Sequence, residues 1–397
     1  MLSCPSAVAE NQPANKHRMN TQLSSYAARL CGLIQQHQFL AGEQSLHQQF
    51  DTLALELFVL QFKHNSAYRK ICEARRLTPQ VVEHWRQIPA VPTAAFKELE
   101  LTSLAPDERT TAFYSSGTTE QKPSRHFHNA ESLAVYEASV ISWFLENIRP
   151  DLRFTIYDLR LVCLTPPPAQ VPHSSLVHMF DTVRQKLGGA SVPASRAGFF
   201  GQLAADGSWT LDFESTLAVL NSSLATRHPS LLLGTAFSFV HLLDYLVERD
   251  LRVELPAGSC MMETGGYKNR SRVLPKSELH ALIAERLGVP CKNIICEYGM
   301  SELSSQAYDS AISAEKGKPM ARHFQFPPWA RVQIVSPETG REAANGETGL
   351  IRIFDLANVF SVMAIQTEDL GIRRDEHFDL IGRAQLAEPR GCSLMTA

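Results

Sequence analysis

Between residues 160 and 300, short apolar runs alternate with amphipathic stretches, and this alternation constrains the chain more than any other feature. Leu161-Val162-Cys163-Leu164 precedes a helical pattern near 176–187, and Leu231-Leu232-Leu233 precedes another near 237–249. Ser259-Cys260-Met261-Met262 precedes a third near 276–287, and Ile294-Ile295-Cys296 follows it. A strand that is apolar at every position must be covered on both faces, and the intervening helices supply the cover. The pattern predicts an α/β fold with a parallel-rich sheet in the middle of the chain. Upstream, Leu46, Phe50, Leu53, Leu57 and Leu60 form a helical stripe, and Tyr68, Ile71 and Cys72 begin another. Downstream, Arg331-Val332-Gln333-Ile334-Val335 and Leu350-Ile351-Arg352-Ile353 alternate around a turn-rich segment, which predicts a small antiparallel, barrel-like sheet. The expected division is a loose tail over 1–20, a helical part over 21–100 and an α/β core over 101–330. An antiparallel subdomain over 331–381 and a hinge with a tail over 382–397 complete it.

Lys plus Arg number 38 against 41 Asp plus Glu, so the net charge of -3 gives no electrostatic case for a nucleic acid or anionic lipid partner. The eight cysteines are scattered; Cys291 and Cys296 are closest, but no second pair completes a zinc site between them. Reduced thiols in a cytoplasm fit this spacing. No basic-flanked apolar segment opens the chain, so no signal peptide is expected. The most apolar stretch, 231–246, is interrupted by His241 and Asp244 and is too short to span a bilayer.

Chemistry concentrates in three turns. Tyr114-Ser115-Ser116-Gly117-Thr118-Thr119-Glu120-Gln121-Lys122-Pro123-Ser124 follows the short strand 110–113. Gly117 permits close backbone approach, successive amides make an anion-binding concavity, and hydroxyls add donors. Lys122 and Arg125 add positive charge. The Walker spacing is absent, and on composition alone a polar surface loop is the simpler reading. Tyr298-Gly299-Met300-Ser301-Glu302 directly follows an apolar strand, where catalytic loops of α/β sheets gather. Glu302 there has the chemistry to hold Mg²⁺, or is the solvated acid of a turn. Glu263-Thr264-Gly265-Gly266-Tyr267 also follows an apolar run, and its Gly-Gly pair either admits a flat base or simply ends a strand.

In this order the turns resemble those of the adenylate-forming superfamily of acyl-CoA synthetases and luciferases. The likeness is closer to the LuxE-type acyl-protein synthetases, the fatty-acid-activating components of bacterial luminescence reductases. It rests on Ile88 to Lys97, on Glu-Thr-Gly-Gly-Tyr-Lys at 263–268 and on Arg-Gly-Cys-Ser-Leu at 390–394, and it runs from about residue 25 to the end. The resemblance implies that Ser115, Ser116, Gly117, Thr118, Thr119 and Lys122 hold the phosphates of ATP. It implies that Gly265 and Gly266 flank the adenine, with Tyr298 and Gly299 on its other side. Glu302 would ligate Mg²⁺, Asp369 would bind the ribose hydroxyls, and Arg383 would mark the hinge. The sequence departs from the superfamily at Glu120, where glycine is usual, and Lys122 is displaced by one position. Because Ala397 follows Arg383 closely, the mobile domain of CoA synthetases and its catalytic lysine are expected to be absent.

The implied reaction is attack of a carboxylate, from a fatty acid, on the α-phosphorus of ATP to give an acyl-adenylate and pyrophosphate. Thr118 and Glu302 would serve that step, and Cys392 would then take the acyl group as a thiolate nucleophile. A reductase or thioesterase partner would receive it. Arg196, His128 and the helices near 176–187 and 237–249 are candidates to line the acyl pocket. Two other readings stay open: a CoA ligase of the phenylacetate type, and a non-catalytic nucleotide- or acyl-binding partner.

Overall fold

The computed structural model describes residues 13–39, 45–115, 122–148, 159–188, 197–267, 271–309 and 322–383. Helix α1 (Pro13–Gln36) begins inside the stretch expected to be a loose tail. Pro13 opens it at no cost, because the first amide of a helix has no intrahelical acceptor. Helix α2 (Leu46–His64) is capped by Ser45, whose Oγ accepts from Gln48 N at 3.3 Å, and it buries the stripe from Leu46 to Leu60. Asn65 ends that helix and caps α3 (Ser66–Ala74) by accepting from Tyr68 N at 3.0 Å. The chain continues through β1 (Val91–Pro92), a single turn α4 (Ala95–Glu98), and the hairpin of β2 (Thr111–Tyr114) and β3 (Arg125–His128). Helix α5 (Ala130–Asn147) follows, capped by Asn129.

The expected α/β layers come next. They comprise β4 (Arg160–Cys163), α6 (Ser175–Gly188), β5 (Ala197–Phe199), the small hairpin β6 (Gly201–Leu203) with β7 (Trp209–Leu211), α7 (Phe213–Thr226) and β8 (Ser230–Thr235). Then come α8 (Ala236–Glu248), β9 (Cys260–Thr264), α9 (Lys276–Leu287), β10 (Ile294–Tyr298) and β11 (Ala307–Tyr308). The sheet order is β11-β10-β9-β8-β4-β5, parallel throughout except for β11. The reason for the continuous apolar runs is visible in the packing. Val162, Leu232, Met261 and Ile294 pack with α8 and α9, while Leu161, Leu231, Leu233, Met262 and Ile295 pack on the other side with α5 and α6. Each fully buried aliphatic side chain is worth about 2 kcal/mol, so these two layers carry the core.

A second sheet holds β12 (Ala330–Val335), β13 (Thr348–Asp355), β14 (Ala364–Arg374) and β15 (His377–Arg383). Its order is β1-β14-β13-β12, with β15 also on β14. It is antiparallel except for β1, which joins in parallel through Val91 opposite Ile365. Buried Gln61 of α2 strengthens this joint between the two ends of the chain. Its Nε2 donates to Asn358 O at 2.7 Å and Val359 O at 3.2 Å, and its Oε1 accepts from Met363 N at 3.1 Å. Asp355 ties the two sheets together, accepting from the amides of Ser304 and Ser305 just past β10. No helix among the described residues is long and apolar enough to cross a membrane.

Candidate active site

Loops leaving β4, β8, β9 and β10 meet β14 and the foot of the β2–β3 hairpin around one cavity of about 800 Å³. Ser115, Gly265, Gly266, Gly299, Glu302, Asp369 and Arg383 all line it. Ser116, Gly117, Thr118 and Thr119 lie outside the described residues, as do Arg196 and Cys392. What the structure describes of the first turn is its closed base: Ser115 N donates to Ser124 O at 3.3 Å and Ser124 N to Ser115 Oγ at 2.9 Å. Lys122 is not among the lining residues; its Nζ sits 3.6 Å from Glu98 Oε2.

Glu302 is only 5% exposed. Its Oε1 accepts from Ser124 Oγ at 2.5 Å and its Oε2 from Ser301 Oγ at 3.0 Å. No lysine or arginine pairs with it among the described residues. The carboxylate's partners among the described residues are hydroxyls alone, so a cation entering from the cavity would be the first positive charge beside it. All-oxygen surroundings with one carboxylate are what Mg²⁺ prefers, so the residues present fit that ion.

Asp369 and Arg383 are register partners on β14 and β15, with Arg383 Nε 4.0 Å from Asp369 Oδ1. Arg383 is largely exposed at the rim, so the pair itself contributes little to stability. Tyr298 differs from the expectation that it faces the base, for its ring does not line the cavity. It packs against Phe324, Phe326 and Phe378 instead. Successive side chains of a strand point to opposite faces, so with Glu297 turned into the cavity Tyr298 turns away. Its hydroxyl still reaches the site by donating to Asp369 Oδ2 at 2.9 Å.

Glu297 is the site residue that sequence reasoning missed; its only signal was a place in the strand immediately before Tyr298-Gly299. It lines the cavity, buried, and accepts from the hydroxyl of Thr264. A Cβ at residue 299 would lie 2.3 Å from Glu297 Oε1, so glycine there leaves the carboxyl its place. Burial pushes the Glu297 carboxyl up to about 7, against the opposing pull of the Thr264 hydroxyl. The folded chain therefore binds a proton that the unfolded chain releases near pH 4.5. The stability held by that proton is full below the unfolded value and is lost as pH rises through about 7. Glu297→Gln is thus expected to stabilise the protein by roughly 3 kcal/mol at pH 8 and by less than roughly 1 kcal/mol at pH 5. Urea unfolding at the two pH values measures this, and an equal effect at both would contradict it.

Of the acyl-pocket candidates, α6 contributes Leu176 and Met179 to the lining and α8 contributes Phe237, with Trp209 beside them. His128 does not reach the cavity. It is sealed between Phe113, His126 and Tyr136, and burial holds its imidazole well below the usual range.

The sequence pattern of the family described as acyl-protein synthetase, LuxE, matches residues 33–397. A long-chain-fatty-acid–luciferin-component ligase of Vibrio harveyi is 22% identical over 346 residues, covering 84% of this chain and 83% of the relative. The enzyme of that name from Aliivibrio fischeri is 20% identical over 363 residues, covering 87% of each. Among solved structures, 2-hydroxyisobutyryl-CoA ligase in its postadenylation state aligns with a TM-score of 0.59 at 14% identity, over 84% of this chain and 66% of that one. An open conformation of the same ligase gives 0.55 at 15% identity, over 84% and 74%. The fold is that of the adenylate-forming enzymes.

Proposed function

We propose that this chain, which belongs to the LuxE family of acyl-protein synthetases, joins a fatty acid to ATP as an acyl-adenylate and passes the acyl group to the thiol of Cys392. Membership of that family makes it a ligase; the acid, the nucleotide roles and the acceptor are our reading. The observation that carries it is the convergence of Ser115, Gly265, Gly266, Glu302, Asp369 and Arg383, from five separate stretches of sequence, on a single cavity with an apolar end.

Each residue has a chemical task. A carboxylate is a poor electrophile because its charge is delocalised and its leaving group would be oxide. Its oxygen attacks the α-phosphorus, the bond to the bridging oxygen breaks, and pyrophosphate departs. Glycine at 265 and 266 leaves open space, since a Cβ at either would meet nothing within 4 Å; a flat base has room there. Gly265 also takes φ +67°, a conformation costly for other residues. Asp369, to which the Tyr298 hydroxyl donates, would accept from ribose hydroxyls. Ser115 and the residues up to Thr119 would offer donors to the phosphates, with Lys122 adding charge. Glu302 would hold Mg²⁺, which when bound neutralises charge developing on the phosphate oxygens. Trp209, Phe237, Leu176 and Met179 exclude water from the acyl end. The thiolate of Cys392 then attacks the acyl carbon, the bond to AMP breaks, and a thioester remains. A protein thioester needs a recipient, so a reductase or thioesterase is the kind of partner expected.

Exchange of labelled pyrophosphate into ATP tests the first step directly. With a panel running from short aliphatic through aromatic to long-chain acids, exchange is expected to be fastest with a long-chain acid. No exchange with any acid would leave a binding protein as the better reading. Acid-dependent AMP release that requires free CoA, with no labelled protein, would favour the phenylacetate type of CoA ligase.

A further inference from the structure

We propose that Glu263, His280 and Cys296 form a binding site for a zinc-class divalent cation, separate from the cavity and directly beneath the turns that line it. Three elements bring these residues together. Glu263 on β9 and Cys296 on β10 are register partners in parallel strands, so their side chains leave the same face of the sheet. Met261 and Ile294, two residues earlier on those strands, pack with Ile283 and Leu287 of α9. His280 extends from that same helix, so the trio is the polar end of an otherwise apolar layer. All three are buried, with 7%, 6% and 5% of Glu263, His280 and Cys296 exposed.

The spacing suits one ion. Cys296 Sγ lies 3.8 Å from His280 Nε2, and His280 Nε2 lies 3.5 Å from Glu263 Oε1. Bonds of about 2.0–2.3 Å to a tetrahedral zinc ion put donor atoms roughly 3.3–3.7 Å apart. The third spacing, 2.7 Å between Cys296 Sγ and Glu263 Oε1, is a thiol donating to a carboxylate. It opens by roughly 1 Å when the thiol proton leaves for solvent and the ion takes its place. The donor set of thiolate, imidazole and carboxylate selects zinc over magnesium, because a hard cation does not choose sulfur. The charges also balance: thiolate and carboxylate bring two negative charges to a divalent ion.

Neighbouring charges leave room for it. Lys276 contacts Cys296 but also donates to Asp309, which Arg322 Nη2 holds at 3.0 Å, so the ammonium has a place to stay when the ion binds. Three protein donors leave a fourth position for the second oxygen of Glu263 or a water molecule. An ion here pins the ends of β9 and β10, where Gly265–Gly266 and Glu297–Glu302 depart toward the cavity. Its role is positioning. Glu302 is a different site, with oxygen donors only.

Cobalt substitution tests this on the full chain without reference to turnover. Protein stripped with a chelator and kept reduced is titrated with Co²⁺. One ion per chain is expected, with the near-ultraviolet thiolate-to-cobalt charge-transfer band and the strong visible bands of a four-coordinate site, all lost on adding Zn²⁺. Cys296→Ser is expected to abolish the charge-transfer band, whereas Cys291→Ser, at an exposed cysteine, leaves it intact. Should Cys296→Ser be unfolded by circular dichroism, Glu263→Gln carries the comparison, with cobalt affinity lowered at least about 10-fold. Wild-type protein that binds no ion overturns the proposal. So does a bound ion with no charge-transfer band, a band that survives in folded Cys296→Ser, or undiminished affinity in Glu263→Gln.

Discussion

Glu302→Gln is expected to slow pyrophosphate–ATP exchange by about 100- to 1,000-fold while leaving the thermal midpoint unchanged or higher. The two halves of that expectation have one cause. Glutamine keeps the shape of the side chain, and its amide oxygen can still accept from Ser301 or Ser124 while its NH₂ donates to the other hydroxyl. What disappears is the negative charge. In the folded protein the side chain is buried with no cationic partner among the described residues, so the substitution breaks no ion pair. In the proposed reaction the same charge holds the ion that stabilises the phosphates, so removing it raises the barrier to adenylate formation. The exchange rate should also need more Mg²⁺ for half-saturation. Exchange within threefold of wild type, at ordinary Mg²⁺, would remove Glu302 from the metal role; slow exchange with a collapsed midpoint would make it a folding residue.

The parallel sheet was legible because its strands are buried on both faces, and such strands announce themselves as unbroken apolar runs such as Leu231-Leu232-Leu233. The alternating pattern of β12 and β13 was legible for the opposite reason, since part of that sheet meets solvent. Other features have no local signature. Val91 pairs with Ile365, and no pattern near either residue announces a partner so distant in sequence. The small strands β5, β6 and β7 are three residues each, too short to show a period. Helix α1 starts in polar sequence because its apolar stripe begins only near Leu23. At the site, segments named by the motifs meet at one cavity, but the direction of each side chain has no local signature. Whether Glu297 or Tyr298 enters the cavity depends on the phase of β10, which the packing of the aromatic cluster sets. Cys296 was considered together with Cys291 because they are neighbours in sequence. Its neighbours in space, Glu263 and His280, come from another strand and a helix.

Cys392→Ser is expected to leave pyrophosphate–ATP exchange within about twofold of wild type and to reduce thioester-linked acyl-protein, formed from labelled fatty acid and ATP, at least about 100-fold. The remaining described cysteines make the case by their surroundings. Cys72, Cys163, Cys260 and Cys296 are buried. Burial pushes the thiols of Cys72 and Cys260 up to about 11 and about 12, and raises those of Cys163 and Cys296 as well. Half-buried Cys31 is raised for the same reason. A thiol held protonated is a poor nucleophile. Exposed Cys291 is the rival among the described residues. Arg383 stands at the rim of the cavity, and nine residues of chain, from there to position 392, span at most roughly 30 Å when extended. A serine at 392 could still accept an acyl group as an oxygen ester, but its hydroxyl ionises far less, and the product resists neutral hydroxylamine where a thioester does not. Hydroxylamine release of the label therefore separates the two. Cys291→Ser, run in parallel, should keep the full thioester signal. If the labile label survives in Cys392→Ser and vanishes in Cys291→Ser, the acceptor sits on the α/β core and the tail has no part in the transfer.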